Sequence, residues 1–233
     1  MEAIILCGGY GTRMGELTKN TPKPLLEVNC KPILEHTLDH LITLGFKKAV
    51  INIAYLKEQF YVRYPITTTL RRQYKTIEID FIEEDKPVGT AQTVNNIIKK
   101  GLIESQNFLV IYGDVISKHN HFDTYKYHQQ TGAWITILYH ARQISSMIVT
   151  DDNDFVTMFA ERPLAKTNSG IYWLNKLPFK SMPASVVDLA KDFFTTFSGS
   201  ECFRAIPHEG YRCAIDTKER LEQAREDLKC NTK

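Results

Sequence analysis

The chain has 233 residues, 43% of them hydrophobic, so it is long enough to bury one sizeable core and its composition does not require two domains. Its formal net charge is only +2, from 29 basic and 27 acidic residues, which excludes the strong basic field on which non-specific nucleic-acid binding depends. We expect neither a nucleic-acid nor a membrane partner, because no apolar stretch approaches the roughly 18 residues of a membrane span.

Cysteine usage indicates an intracellular redox environment. The cysteines are odd in number and widely spaced, and they form no C-x-x-C pair of the kind found in zinc sites and dithiol redox sites. We therefore expect reduced thiols in a cytoplasmic protein. The five residues are Cys7, Cys30, Cys202, Cys213 and Cys230.

Residues 1–140 alternate short apolar runs with amphipathic stretches, a pattern typical of βαβ units around a mostly parallel sheet. Strands buried on both faces have such continuous apolar sequences. We predict a Rossmann-like α/β fold, a mostly parallel central sheet flanked by helices. The predicted strands are 3–7, 49–53, 77–82, 108–112 and 135–139, and the predicted helices are 33–44, 57–64, 90–99 and 122–130.

The pattern changes after residue 139 to short β-like pieces interrupted by a turn-prone Asp151-Asp152-Asn153-Asp154 run and by Pro163. This predicts a small mixed or antiparallel subregion within one domain that covers residues 1–233. The predicted strands are 147–150, 155–160, 170–174, 202–206 and 213–215, with a helix near 185–195 and a charged helix at 218–229.

A glycine-rich turn, Gly8-Gly9-Tyr10-Gly11, follows the first predicted strand at the end where open α/β sheets bind ligands. Backbone N–H groups without neighbouring Cβ atoms can approach a phosphate chain closely. The turn does not match a Rossmann fingerprint, which has Gly or Ala where this chain has Met14. It does not match a P-loop either, because Gly11-Thr12-Arg13 stands where Gly-Lys-Ser/Thr is required.

A plain βα turn is the alternative interpretation of these glycines. The segment Thr21-Pro22-Lys23-Pro24 argues against it, because a rigid Pro-Lys-Pro segment that holds a lysine near the turn has no evident packing purpose. Arg13 adds a second fixed positive charge beside the turn. Together they predict a site for an anionic ligand.

A resemblance to sugar-1-phosphate nucleotidyltransferases is carried by Leu6-Cys7-Gly8-Gly9-Tyr10-Gly11-Thr12-Arg13-Met14 together with Pro22-Lys23-Pro24. The chain is similar in style to short bacterial-type sugar-phosphate guanylyl-, uridylyl- and cytidylyltransferases. The resemblance implies a GT-A-like nucleotidyltransferase fold, in which residues 1–140 mainly bind nucleotide and 141–233 mainly bind sugar phosphate and supply the C-terminal helix. It places the nucleotide against Leu6, Gly8, Gly9, Gly11 and Thr12.

The resemblance also implies that Glu84 and the turn before the third helix, Gly89-Thr90, border the nucleobase. A carboxylate at Glu84 could accept hydrogen bonds from guanine N1–H and its amino group. The alternative interpretation is a solvated acid at Glu84 and a simple helix N-cap at Thr90.

Two aspartates follow apolar runs and in the family hold the metal. Asp114 follows residues 108–112, and Asp216 follows Cys213-Ala214-Ile215. Two carboxylates at neighbouring strand ends suit one Mg²⁺ whose other ligands are phosphate oxygens. The family reads Asp-x-Gly-Thr at the second site, whereas this chain reads Asp216-Thr217-Lys218-Glu219, so the local backbone there stays open although the carboxylate is present. The alternative interpretation of either aspartate is a cap of the next turn, which for Asp216 is the helix that starts at Thr217.

For the sugar phosphate, the resemblance assigns Glu161-Arg162-Pro163, similar to the family's Glu-Lys-Pro, and an Asn-x-Gly motif. Arg162 can hold a phosphate bidentately where lysine is a point charge. A β-turn before a strand is the alternative interpretation of the Asn-x-Gly motif. The implied acceptor-binding residues are Gly113, Glu161, Arg162, Asn168 and Gly170.

The implied reaction is in-line attack by a sugar-phosphate oxygen on the α-phosphorus of an NTP. Arg13 would hold the β- and γ-phosphates and the leaving pyrophosphate, and Lys23 would neutralise charge around the α-phosphate. Mg²⁺ on Asp114 and Asp216 would bridge the reactants. The attacking phosphate is already ionised, so no general base is required. Pro87-Val88-Gly89-Thr90-Ala91 resembles the motif of guanylyltransferases for mannose or heptose 1-phosphate, so GTP is slightly favoured, and a homodimer is an open expectation.

Other interpretations stay open at this point. CTP- or UTP-dependent transferases, including some with non-sugar phosphate acceptors, are similar in length. A nucleotide-sugar glycosyltransferase would normally carry Asp-x-Asp, and this chain has Asp114-Val115-Ile116. A non-catalytic regulatory paralogue would be expected to lose Arg13, Lys23 or Asp114.

Two further clusters have no place in that reaction. His119 and His121 form an H-x-H pattern without nearby acids or cysteines, which indicates a loop rather than a metal site. Arg71-Arg72 with Lys75 is interpreted as a solvated face, with a regulatory anion site as the alternative.

Overall fold

A computed structural model describes residues 1–65, 74–143 and 145–229. The Arg71-Arg72 pair lies outside these described residues. The described strands are β1 (Glu2–Leu6), β2 (Glu27–Val28), β3 (Lys31–Pro32), β4 (Lys48–Ile53), β5 (Glu78–Glu83), β6 (Asn107–Tyr112), β7 (Val115–Ser117), β8 (Ile135–Gln143), β9 (Ser146–Thr150), β10 (Val156–Glu161), β11 (Leu164–Asn175), β12 (Phe203–Pro207) and β13 (Arg212–Ala214). The described α-helices are α1 (Ile33–Thr43), α2 (Lys57–Arg63), α3 (Thr90–Lys99), α4 (His121–Gln130) and α5 (Lys218–Asp227).

Seven strands form one sheet in the order β12-β8-β11-β6-β1-β4-β5. All neighbours are parallel except those of β11, which is antiparallel to both β6 and β8. The sheet is therefore mostly parallel, which confirms the predicted fold class. The carboxyl ends of β1, β4, β5 and β6 meet at one edge.

The sheet is buried on both faces, as the continuous apolar runs predicted. In β1, Ala3 and Ile5 pack into one hydrophobic cluster with α1, whereas Ile4 packs into the cluster on the opposite face with α3. This alternation follows from the two-residue period of a strand. Among the described helices, none is both long and apolar enough to cross a lipid bilayer.

The predicted elements of the first half agree with the structure to within one residue, apart from the strand predicted at 135–139, which continues to Gln143. It continues because its second half pairs with the first half of β11. The strand predicted at 170–174 is likewise too short, since β11 begins at Leu164.

The regular helix predicted near 185–195 is wrong. The segment contains a short π-helical turn, Leu189–Phe193, followed by a 3₁₀ turn, Phe194–Phe197, while residues 183–188 are irregular. Asp188 caps the first turn by accepting hydrogen bonds from the Ala190 and Lys191 N–H groups. The segment is fixed by tertiary packing, because Leu189, Phe193 and Phe194 are buried against the sheet.

The strands β9 and β10, which come between β8 and β11 in the sequence, form a separate two-stranded antiparallel sheet. We call residues 145–163 the arm. Of the predicted subregion, only this arm forms a sheet of its own, whereas β8, β11 and β12 belong to the central sheet.

The H-x-H pattern, predicted as a loop, spans the start of α4, and both of its histidines are buried in a histidine cluster. The ring of His119 lies 4.9 Å from that of His208 and 5.3 Å from that of His121, and His40 lies 5.6 Å from His121, all between ring centroids. His119 Nε2 and both ring nitrogens of His121 are buried without a hydrogen-bond partner among the described residues. Burial lowers the pKa of all four rings, that of His208 to about 4.

These lowered pKa values predict acid-sensitive stability. An unfolded histidine titrates near pH 6.5, so below that pH the unfolded chain binds protons that the folded cluster resists. The free energy of unfolding should be highest above pH 6.5 and should fall as the pH decreases toward 4. Urea unfolding at several pH values should show that His121→Phe reduces this slope by up to about 1.4 kcal/mol per pH unit. An unchanged slope would rule out His121 as a contributor.

Candidate active site

A cavity of about 290 Å³ opens at the carboxyl ends of β1, β4, β5 and β6. Open α/β sheets bind ligands at this edge. Every residue predicted to bind the nucleotide lies in its wall, as do Arg13, Lys23 and Asp114. The lining is Leu6, Cys7, Gly8, Gly9, Gly11, Thr12, Arg13, Lys23, Pro24, Asn52, Glu84, Pro87, Gly89, Thr90, Thr93, Tyr112 and Asp114.

The glycine turn connects β1 to a 3₁₀ segment, Thr12–Thr18, which carries Arg13. Gly11 has a φ of 66° and precedes that segment, and its carbonyl oxygen accepts hydrogen bonds from the Met14 N–H and the Thr18 hydroxyl. A positive φ is strained for most other residues. The hydrogen bonds to the Gly11 carbonyl oxygen therefore fix the shape of the turn. They do not involve Gly9, which stays open to the cavity.

Two ion pairs join the predicted cations to the predicted metal ligands. Lys23 Nζ lies 2.7 Å from Asp114 Oδ2, and Arg13 Nη1 lies 2.9 Å from Asp216 Oδ2. The Lys23 side chain is only 9% exposed, whereas that of Arg13 is 71% exposed. Lys23 is thus a fixed charge in the wall, whereas Arg13 is an exposed charge that is paired only with Asp216 among the described residues.

Asp114 and Asp216 are brought together by the small β7–β13 sheet. Ala214 pairs with Val115, and the Ile215 N–H donates a hydrogen bond to the Asp114 carbonyl. Asp216 is not the helix cap that the sequence left open, because Thr217 caps α5 by accepting from the Arg220 N–H.

The two carboxylates fit a hard cation only in part. Within the described ranges, no group of three or more His, Cys, Asp or Glu side chains is arranged to hold a metal ion. Mg²⁺ is commonly held by one or two carboxylates together with substrate phosphates. Asp114 and Asp216 match that donor set, with the remaining ligands left to a substrate.

On the other side of the cavity, Glu84 is held by two side chains. Its Oε1 accepts a hydrogen bond from the Thr93 hydroxyl at 2.6 Å, and its Oε2 accepts from Asn52 Nδ2 at 3.3 Å. The Asn52 Oδ1 in turn accepts from the Cys7 N–H at 2.8 Å. Glu84 is therefore a positioned carboxylate of the cavity wall and not a solvated acid.

The turn before α3 is closed by residues 183–188. The Val187 carbonyl accepts a hydrogen bond from the Ala91 N–H, and the Thr90 hydroxyl donates to Asp188 while accepting from the Leu189 N–H. Thr90 is not a side-chain N-cap of α3, since Gly89 occupies that position. Gly89 has φ 94° and ψ 150°.

Substitution of Gly89 should be costly for two reasons. A Cβ built there would lie 2.6 Å from the Val187 carbonyl oxygen, and its φ and ψ lie in a region that only glycine occupies readily. Gly89→Ala should therefore lower the free energy of unfolding by more than about 2 kcal/mol in urea titrations. Gly101→Ala is the matched control, because Gly101 also has a positive φ but its Cβ would meet open space. Equal losses would contradict a role for the Val187 contact.

The predicted acceptor-binding residues fall into two places. Gly113 and Gly170 lie beside Tyr112 at the sheet edge: the Gly113 N–H donates to the Leu6 carbonyl, and a Cβ on Gly170 would contact Tyr112. Asn168 lies two residues before Gly170 and accepts from its N–H. None of these lines the cavity described above.

The Asn-x-Gly motif is a strand irregularity rather than the β-turn considered from sequence. It lies inside β11, where the pairing register with β8 shifts between Asn168 and Tyr172. Glu161 and Arg162 lie before β11 in the chain, at the base of the arm, and Arg162 has a φ of 49°. The structure therefore does not bring the Glu-Arg pair into the cavity wall.

Three polar residues of the site were missed from sequence. Asn52 and Thr93 hold Glu84, and Arg212 donates from Nε to the Ser169 carbonyl oxygen at 2.9 Å. Burial lowers the pKa of Arg212, and the nearby Asp114 and Asp216 carboxylates oppose that shift. A polar residue inside the apolar run of β4 was the signal for Asn52, whereas Arg212 has no signal in the local sequence.

Comparison with known proteins gives consistent matches over most of the chain. A family model described as nucleotidyl transferase matches residues 2–210. The mannose-1-phosphate guanylyltransferase catalytic subunit beta of Danio rerio is 28% identical over 222 residues, covering 91% of this chain and 60% of the relative. The chain thus spans less than two thirds of that relative's length.

The fold has near end-to-end counterparts among solved structures. The crystal structure of HddC from Yersinia pseudotuberculosis has a TM-score of 0.75 at 23% identity and covers 98% of this chain and 99% of that one. HddC complexed with GMP-PN has a TM-score of 0.74, with the same identity and coverage. These likenesses show a shared α/β nucleotidyltransferase fold.

Proposed function

Because the chain belongs to the nucleotidyl transferase family, we propose that it transfers a nucleoside monophosphate from an NTP to a sugar 1-phosphate, releasing pyrophosphate. One observation carries the proposal: Arg13, Lys23, Asp114 and Asp216 converge at one edge of the cavity lined by the glycine turn. The two reactants both carry phosphates and must be brought together. This requires cations and metal-binding carboxylates side by side.

The proposed roles follow the geometry of the wall. Lys23, fixed by burial, neutralises charge at the α-phosphate, while Arg13 leaves Asp216 to hold the β- and γ-phosphates and the departing pyrophosphate. Mg²⁺ held by Asp114 and Asp216 would supply Lewis-acid stabilisation of the phosphoryl oxygens. The attacking sugar phosphate is already ionised, so the residues position it and no proton need be removed.

We assign nucleotide binding mainly to residues 1–140 and acceptor binding mainly to residues 141–233. The acceptor would extend from Gly113 and Gly170 at the sheet edge toward Asn168, with Glu161 and Arg162 at the base of the arm. That arrangement fits the position of β11, whose amino-terminal half extends beyond the carboxyl end of β6 at this edge.

GTP with a mannose- or heptose-type 1-phosphate is the proposed substrate pair. The positioned Glu84 carboxylate supports guanine, which offers two adjacent N–H donors, and the guanylyltransferase relative and the GMP-PN complex of HddC agree with this choice. CTP or UTP, including use with a non-sugar phosphate acceptor, is the second candidate. A non-catalytic regulatory protein is the third, and Arg13, Lys23 and Asp114 argue against it because all three are present.

The test is pyrophosphate release with Mg²⁺, measured for GTP, CTP, UTP, dTTP and ATP against several phosphorylated acceptors. GTP should be preferred, and Glu84→Gln should lower kcat/KM for GTP by about 10- to 100-fold, since a charged hydrogen bond is worth about 1.5–3 kcal/mol. Glu83→Gln is the matched control, because Glu83 is an exposed neighbour outside the cavity. A preference for CTP or UTP would replace the guanylyl assignment, and no turnover with any pair would favour the regulatory one.

A further inference from the structure

Arg212 is a half-buried arginine of β13 whose guanidinium group is only partly used. Its Nε donates to the Ser169 carbonyl oxygen at 2.9 Å, and among the described residues this is the only hydrogen bond of its side chain. No described carboxylate lies within ion-pair distance of it. A cation that is partly removed from water costs free energy unless an anion compensates it. The two Nη groups are therefore available to a ligand.

Arg212 lies close to both proposed metal ligands. In the β7–β13 sheet Ala214 pairs with Val115, which places Asp114 and Asp216 at the same end of the pair. Arg212 is two residues from that end along β13. Burial lowers the pKa of Arg212, and the charges of both carboxylates oppose this shift. The guanidinium group is thus within electrostatic reach of the two aspartates.

The contact with Ser169 brings Arg212 to the residues proposed for the acceptor. Ser169 is fully buried and lies between Asn168 and Gly170 in β11. The Gly170 N–H donates to Asn168 Oδ1 at 2.8 Å, so the backbone that Arg212 contacts is held in place. Arg212 therefore lies where the proposed acceptor site meets the proposed metal ligands.

The charges of this edge are unbalanced toward the positive side. Asp114 is paired with Lys23 and Asp216 is paired with Arg13, whereas Arg212 is left without a carboxylate in the ranges that the structure describes. A metal ion on the two aspartates would use their charge and leave none for Arg212. The anion that compensates this arginine would then have to come from a ligand.

The neighbouring strand β8 adds to the positive potential. His140 Nε2 lies 2.7 Å from the Thr167 hydroxyl oxygen, on the strand that carries Ser169. Burial lowers the pKa of His140, and the charges of Arg212, Arg142 and Arg220 lower it further. Three arginines thus act on one ring, so the acceptor side of the edge is electropositive and suits a phosphate.

The first half of β11 separates Arg162 from this position. The strand begins at Leu164, and its residues up to Gly170 span about 15–20 Å. Arg162 precedes that stretch at the base of the arm. It is therefore placed to meet the far end of an acceptor, whereas Arg212 lies at the end nearer the two aspartates.

We propose that Arg212 binds the phosphate group of the acceptor, its two Nη groups donating to two phosphate oxygens while Nε keeps the hydrogen bond to Ser169. The planar fork of an arginine fits a phosphate in this bidentate way. The ligand class is a phosphate monoester. The inference rests on the proposed function, because it assigns this phosphate to the attacking substrate.

Two substitutions separate the charge of Arg212 from its contact with Ser169. Arg212→Gln places an amide N–H at the position of Nε, so it can keep the bond to Ser169 while the charge and both Nη groups are lost. Arg212→Lys keeps the charge and loses the donor at Nε. Loss of phosphate binding should be greater in the glutamine variant. A purely structural role would make the lysine variant the more affected one.

The experiment is isothermal titration calorimetry of the full chain with Mg²⁺ and a saturating non-hydrolysable GTP analogue. The probes are mannose 1-phosphate and inorganic phosphate. Arg212→Gln should raise both dissociation constants by about 10- to 100-fold, and Arg212→Lys by less than about tenfold. Affinity for the GTP analogue should not change. Arg204→Gln is the matched control, because Arg204 is an exposed arginine on the edge strand β12, and it should bind both probes normally.

A measurement on the wild-type protein needs no substitution, and it decides the question if a variant fails to fold. Mannose 1-phosphate should slow the modification of Arg212 by phenylglyoxal, read by peptide mass spectrometry. Modification of Arg204 should proceed at the same rate with and without the probe. Equal rates at Arg212 would contradict the proposal.

The other outcomes are equally decisive. The proposal is overturned if the wild-type protein binds neither probe, if Arg212→Gln binds them as tightly as the wild type, or if Arg212→Lys is the weaker binder. Unchanged affinity for mannose 1-phosphate with a higher Mg²⁺ requirement would make Arg212 a positioning residue for Asp114 instead. Binding is measured without turnover, so arginine-dependent binding by a protein that releases no pyrophosphate would support this inference and contradict the proposed function.

Discussion

Replacing Asp114 with asparagine should lower kcat by about a thousandfold while the protein remains folded. The substitution keeps the shape of the side chain and its ability to accept a hydrogen bond from Lys23 Nζ, now at 2.7 Å. It removes the negative charge that pairs with a lysine held in the cavity wall and that would attract the metal. Pyrophosphate release at saturating substrates measures the effect.

The folded state must be checked in the same samples, because Lys23 is buried and loses its counter-charge. Thermal unfolding should show an intact cooperative transition. The Mg²⁺ concentration required for half-maximal residual activity should also rise, which loss of structure alone would not cause. Turnover within tenfold of the wild-type value in a folded variant would remove Asp114 from the mechanism.

Arg13→Ala should lower kcat/KM by about 100- to 1,000-fold with little effect on stability. The ion pair with Asp216 is largely exposed, and exposed pairs contribute little to folding. Loss of the Arg13 side chain should instead slow the reaction at the step in which charge develops on the pyrophosphate. Arg13→Lys should recover part of the activity, because lysine supplies the charge without the bidentate geometry.

Lys19→Ala provides the matched control for Arg13. Lys19 lies at the end of the same 3₁₀ segment, is exposed, and pairs with Glu16 outside the cavity. Its removal should leave kcat/KM near the wild-type value. Similar losses of kcat/KM in both variants would indicate a general effect of surface charge and would contradict a specific role for Arg13.

The central sheet was predictable because its strands are buried on both faces and so have continuous apolar sequences. The wall of the cavity was predictable for a related reason: Gly8 and Gly11 follow β1 and Gly89 directly precedes α3, at positions where backbone geometry limits the choice of residue. The same local rules gave the positions of Asp114 and Asp216 at the ends of β6 and β13.

What escaped sequence reasoning depends on contacts between distant segments. The segment near residue 190 is shaped by burial of Leu189 and Phe193 rather than by helix propensity. Arg212 reaches Ser169 only because β13 and β11 meet in the fold. The exposure of the arm could not be predicted from the sequence either, since the same alternating apolar residues would fit a buried strand.

The β7–β13 pairing also sets the order in which the site can be completed during synthesis. Arg13 and its partner Asp216 are 203 residues apart, and Asp216 reaches the edge of the cavity only when Cys213 and Ala214 pair with β7. A nascent chain that has emerged as far as β11 already contains the glycine turn, Lys23 and Asp114. It lacks residues 183–188, which close the turn before α3, and it lacks Asp216, so truncated translation products would contain the residues that line the cavity without the segments that complete it.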